Sequence, residues 1–113
     1  MLLAIDVGNT QTVLGIYDND KLVHMWRVAT NVDHTSDELR IKLHTLMMAE
    51  GLEYSHIDGA ILASVVPALT HNWEKACCRS FNVDTLVVSA ASAGHLINVD
   101  VSCLLYTSDA ADD

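Results

Sequence analysis

The chain has 113 residues, about one domain's worth, so two full-sized domains are excluded. Half of its residues are apolar and 19% are charged, which suits a packed core and excludes a disordered tail. The net charge is −9, and the six basic residues (Lys21, Arg27, Arg40, Lys42, Lys75 and Arg79) are scattered, so nucleic acid is not an expected partner.

Residues 2–5 are a short apolar run ending in Asp6, which reads as a buried strand. Val7, Gly8, Asn9 and Thr10 follow as a turn, in which Gly8 and Asn9 tolerate positive φ. A second strand is expected over 12–17, where Val13, Gly15 and Tyr17 alternate with Leu14 and Ile16. Asp18, Asn19 and Asp20 give a hairpin signal. Leu22, His24, Trp26 and Val28 then alternate with Val23, Met25 and Arg27 in a third strand. Tight turns make these three strands antiparallel neighbours.

After a polar stretch, Thr35, Ser36, Asp37 and Glu38 fit a capping box. Leu39, Leu43, Leu46 and Met47 recur at helical spacing, and Gly51 stops that helix. Residues 60–66 are a continuous apolar strand of the parallel, doubly covered kind. Pro67 suits the first turn of a second helix, with Leu69, Trp73, Ala76 and Cys77 on its inner face. Residues 85–88 make a fifth strand, and 89–102 read as loop. The order βββαβαβ places the chain in the α/β class, as a mixed sheet with helices. It is the order expected of a ribonuclease-H-like domain.

The segment with chemical content is Asp6, Val7, Gly8, Asn9, Thr10, Gln11, Thr12 and Val13. A carboxylate ends a buried strand, and a tight turn follows. Successive N–H groups in such a turn can form an anion-holding concavity. Asp6 would face Mg²⁺, directly or through water, because Mg²⁺ takes few carboxylates, several waters and the substrate's phosphates. The same residues also fit a plain hairpin whose Asp and Asn cap a turn. The segment lacks the Lys of a P-loop and does not open a helix.

The other chemistry-bearing residues read as structural. Cys77 and Cys78 are reduced thiols on a helix, and no C-x-x-C pair suggests zinc. The six histidines, among them His24, His44 and His71, show no metal-ligand spacing. Trp73 is a core or interface anchor, and Met47 and Met48 fill the end of a helix. Asp37 and Glu38 are a helix N-terminus, not a catalytic carboxylate pair. Ser64 lacks the glycines of a nucleophile elbow. No apolar stretch approaches the ~20 residues of a membrane helix, and the N-terminus does not resemble a signal peptide, so a cytoplasmic location is expected.

Residues 103–113, from Cys103 to Asp113, lack any clear period and end in small and acidic residues. They resemble the translation of a transposon-end sequencing adapter. The expected division is therefore 1–102 as an incomplete ribonuclease-H-like half-domain and 103–113 as a non-native tail. Without the three Asp of the tail the net charge is −6.

Residues 6–10 at the N-terminus resemble the first phosphate motif of the actin/hexokinase/Hsp70 ATPase superfamily. The likeness is closer to one family. Residues 1–10, the strand end Trp26, Arg27, Val28, Ala29 and Thr30, the box at 35–38, and Ser64, Val65, Val66 and Pro67 followed by Leu69 and Thr70 all resemble type III pantothenate kinase. The resemblance covers 1–102 in order. It implies ATP-dependent phosphorylation of pantothenate in coenzyme A synthesis, with ATP, Mg²⁺ and a monovalent cation such as K⁺, by a cytoplasmic homodimer. It assigns the ATP phosphate contacts to residues 6–13 and the Mg²⁺ site to Asp6.

The family also carries a G-x-D-R motif whose Asp is the general base and whose Arg helps bind substrate. That motif has no counterpart here: Gly94 and His95 do not match it, and Asp109 lies in the tail. Val99 stands roughly where some relatives place an aromatic residue near pantothenate. The chain by itself is therefore expected to be an inactive N-terminal fragment. Two other readings stay open: a non-catalytic accessory factor of the same fold affecting transcription, and another sugar-kinase-like ATPase.

Overall fold

The computed structural model describes residues 1–88. The chain runs β1 (Leu2–Val7), β2 (Gln11–Asp18), β3 (Lys21–Ala29), α1 (Ser36–Ala49), a 3₁₀ turn (Tyr54–His56), β4 (Gly59–Ser64), α2 (Pro67–Phe81) and β5 (Thr85–Val88). The strands form one sheet in the order β3-β2-β1-β4-β5. The first three pair antiparallel, and β4 joins β1 and β5 in parallel. The expected mixed α/β sheet and its element order are both present. The loop expected over 89–102, Val99, and the tail 103–113 with Cys103 lie outside the described residues.

Tight turns make the antiparallel half. Asn19 takes φ 57° between β2 and β3, the left-handed conformation that Asn tolerates in a hairpin. The parallel half needs crossovers, and α1 and α2 supply them. Thr35 caps α1 with both bonds of the capping box: its hydroxyl accepts from the Glu38 N–H at 3.2 Å, and its own N–H donates to the Glu38 carboxylate at 2.9 Å. Those bonds hold the Glu38 carboxyl below its ordinary value, the backbone N–H of Thr35 contributing most. A carboxyl with a lowered folded value stabilises fully above its unfolded value, and that contribution fades as pH falls through the folded one. Gly51, at φ 71°, ends α1. Pro67 opens α2, and Asn82, left-handed at φ 56°, closes it with an N–H bond to the Cys78 carbonyl.

Strand alternation sorts the side chains onto two faces. Leu3, Ile5 and Val7 of β1, with Leu14 and Ile16 of β2 and Ala60 and Leu62 of β4, meet Leu39, Leu43 and Met47 of α1 and Leu69, Trp73, Ala76, Cys77 and Phe81 of α2. Ala4, Val13, Tyr17 and Ala63 cluster on the opposite face. The Asp37 carboxylate accepts from Arg40 of its own helix at 3.1 Å and, between the helices, from Arg79 of α2 at 3.3 Å. Exposed pairs of this kind contribute only about 0–1 kcal/mol, so packing joins the helices. His24 stacks on Trp26 with centroids 6.0 Å apart, as strand neighbours would.

Residues 60–66 read as one strand, but β4 ends at Ser64. The Ser64 hydroxyl sits 3.0 Å from both the N–H and the carbonyl oxygen of Val66. That side-chain competition with the ladder turns the chain toward Pro67.

Trp73 is 1% exposed. Trp73→Ala should therefore lower unfolding free energy by about 3–5 kcal/mol, and the cap variant Thr35→Ala by about 1 kcal/mol, as measured by urea denaturation. Burial pushes the Cys77 thiol up to about 11, whereas Cys78 is exposed. At pH 8, iodoacetamide should label Cys78 at least tenfold faster than Cys77 in peptide mass maps, and denaturant should erase the difference.

Candidate phosphate-binding site

In open α/β sheets, ligands gather beyond the carboxyl ends of parallel strands. Here β1 and β4 run parallel, with Val7 beside Ser64, so both end at one edge of the sheet. The Val65 N–H donates to the Val7 carbonyl at 3.0 Å and fastens the two ends together. The turn between β1 and β2, the end of β3 and the start of α2 all reach this edge. Three stretches far apart in sequence thus converge: residues 6–11, Thr30, and residues 64–67.

The turn has a definite construction. The Gly8 N–H donates to the Gln11 carbonyl at 2.9 Å, closing the chain over Asn9 and Thr10. The Thr30 N–H donates to the Thr10 carbonyl at 2.9 Å and extends the β2–β3 ladder one step past the strand end. Asn9 and Thr10 are exposed at the tip, while Gly8 is buried beneath them.

The eight residues singled out from sequence divide into two groups. Asp6 and Gln11 are half-buried, and Asn9 and Thr10 are exposed, so these four can present atoms to a ligand. Asp6 pairs with Val13 across β2 and with Ala63 across β4, which sets its side chain on the face away from the helices. Val7 and Val13 are core residues, one on each face of the sheet. Thr12 is 2% exposed, and its hydroxyl lies 2.8 Å from that of Thr30. The Gly8 amide is committed within the turn. The second group therefore acts as the support of the turn.

The arrangement suits an anion beside a divalent ion: an exposed turn tip, one carboxylate at the neighbouring strand end, and the N-terminus of α2 at the same edge. Among the described residues, no group of three His, Cys, Asp or Glu side chains gathers to hold a metal ion. A single carboxylate is enough for Mg²⁺ that also takes phosphate and water. Sequence reasoning did not assign Thr30 or Ser64 to this edge. Their signal lay in the stretches 26–30 and 64–67, whose meeting point depends on sheet order.

Comparison with known proteins finds relatives of this chain. The family model for type III pantothenate kinase matches residues 2–103. A type III pantothenate kinase of Desulfotalea psychrophila is 42% identical over 104 residues, covering 88% of this chain and 39% of the relative. One from Rhodospirillum rubrum is 49% identical over 88 residues, covering 78% and 34%. The chain thus spans between a third and two fifths of the length of these relatives. Among solved structures, a ROK hexokinase from Thermus thermophilus matches with a TM-score of 0.65 at 13% identity, covering 86% of this chain and 37% of its own. An inorganic polyphosphate/ATP-glucomannokinase from Arthrobacter matches at 0.57 and 16% identity, covering 88% and 47%. At such identities the likeness is one of fold.

Proposed function

Because the chain belongs to the type III pantothenate kinase family, we propose that the protein carrying this segment transfers the γ-phosphoryl group of ATP to a hydroxyl of pantothenate. This is the entry reaction of coenzyme A synthesis. The observation that carries the reading is the family match over residues 2–103, which includes the carboxylate-ended strand, its turn and the strand ends gathered around it.

Phosphoryl transfer requires positioning and charge neutralisation more than covalent chemistry from the protein. Residues 6–13 are the proposed ATP-binding segment. Asn9 and Thr10, at the exposed tip, would meet phosphate oxygens, and Gln11 would flank them. Asp6 would hold Mg²⁺, directly or through one of its waters. Oxygen donors and a single carboxylate fit that ion. When bound, Mg²⁺ neutralises charge on the phosphates. Val7, Thr12 and Val13 contribute buried walls, and the Val65 N–H bond to the Val7 carbonyl keeps the carboxylate-bearing strand end from shifting.

The group that takes the hydroxyl proton is placed outside residues 1–102, together with the K⁺ site. Residues 1–102 are read as a half-domain of the ATPase, and 103–113 as a non-native tail. A homodimer in the cytoplasm completes the proposal. Among the described residues no helix is long and apolar enough to cross a membrane.

Three outcomes test this. Reading the source gene beyond the codon for Ser102 should reveal G-x-D-R in frame; a stop codon directly after Asp113 would favour a non-catalytic binding role. The purified 113-residue chain should give no pantothenate-dependent ADP release, and robust release would overturn the placement of the base. In the longer protein, Asp6→Asn should lower kcat by about 10²–10³-fold without loss of fold. An unchanged kcat would remove Asp6 from the site, and phosphorylation of sugars in place of pantothenate would reassign the acceptor.

A further inference from the structure

The Thr12 and Thr30 hydroxyls lie 2.8 Å apart. We propose that Thr30 is a positioning residue, whose hydroxyl holds the phosphate turn in its binding shape through Thr12. The inference rests on the phosphate-site reading above and adds to it a residue that touches no ligand.

Thr30 is the first residue beyond β3, which ends at Ala29. It makes two bonds of different kinds to the same neighbouring segment. Its N–H donates to the Thr10 carbonyl at 2.9 Å, at the tip of the turn. Its hydroxyl meets that of Thr12, two residues further on and almost completely buried. The pair thus brackets Gln11 from the β3 side. On the β1 side the turn is closed by the Gly8 N–H and the Gln11 carbonyl.

The chemistry of the pair argues for a specific role. Both side chains could be Val, with equal shape and no polar atom to bury, if filling space were their task. A buried hydroxyl is tolerated only with a partner, and each of these supplies the other's. The pair faces the helix side of the sheet, in a cleft lined by Leu39, Leu69 and Trp73 on its inner side and by Asn31, His34 and Lys42 toward the loop. Thr12 is 2% exposed and Thr30 half-buried, so the bond is stronger there than at the surface. Thr30 is also where the chain leaves the sheet for the loop toward α1, and strand ends fray unless they are fastened. Without the hydroxyl bond, the N–H bond to Thr10 would be the last rung of a loose ladder. The turn tip would then sample conformations that do not match a triphosphate, and affinity would fall by the fraction of time spent in them.

The experiment uses the ¹⁵N-labelled longer protein that carries this segment and four variants of it: Thr30→Val, Thr30→Ser, Thr12→Val, and Thr12→Val with Thr30→Val. Amide solvent exchange at Asn9, Thr10 and Gln11 reports the turn, exchange in β4 and α2 reports the whole fold, and titration with MgATP reports binding. Thr30→Val should speed exchange in the turn about tenfold and weaken MgATP binding by a similar factor, and Thr30→Ser should restore both. The double variant separates positioning from burial: with no stranded hydroxyl it should regain the wild-type melting temperature yet keep the loose turn and the weak binding. If it regains all three, the pair serves packing alone and the proposal is overturned. Wild-type exchange and binding in Thr30→Val would overturn it as well. If the turn loosens as expected while the wild type shows no response to MgATP, the tether stands and the phosphate-site reading fails.

Discussion

The double pairing of β1 governs the molecule. Six residues, Leu2–Val7, hydrogen-bond to β2 on one side in antiparallel fashion and to β4 on the other in parallel. Antiparallel pairing lets the chain return at once, so the turn after Val7 is short and its tip stands at the sheet edge. Parallel pairing forces a long crossover, and α1 and the segment after it provide one. Because β4 runs with β1, its end arrives at that edge too, carrying Ser64 and the start of α2. One strand thereby decides where the turn, the carboxylate and the helix terminus meet.

The same strand divides the core. Leu3, Ile5 and Val7 point toward the helices, and Ala4 and Asp6 point away. A one-residue slip would exchange these sets and drive Asp6 into the apolar layer beneath Trp73. The cost of an ionised carboxylate there far exceeds that of losing one ladder bond. Register is therefore fixed by the core, and the position of the Asp6 carboxylate follows from it. The candidate site shares a strand with the core that fixes this register.

The burial pattern also refines the chemistry. A run of eight residues with hydroxyls, an amide and a carboxylate invites a reading in which every side chain contacts phosphate. Alternation along β2 prevents that. Thr12 turns inward to Thr30, Val13 turns to the opposite face, and Gly8 spends its N–H on closing the turn. The solvent-facing set is smaller, and the remaining residues give the turn its shape.

Most of the architecture was legible in the sequence because it is locally encoded. Period-two alternation over β2 and β3, the capping box at Thr35, glycine after α1 and proline at the start of α2 each act within a few residues, and each marks an element found in the structure. The carboxylate and turn at 6–10 were legible for the same reason. The early end of β4 was not, because the Ser64 hydroxyl competes with a ladder that apolar composition alone would extend. Nor was the use made of Thr12 and Thr30, eighteen residues apart, whose hydroxyls meet only when β2 and β3 are paired in register. The sequence by itself determined the elements, their order and the chemical groups at the turn. Only the tertiary structure decided which of those groups face solvent and which are committed inward, because that depends on strand register and helix packing across the whole sheet.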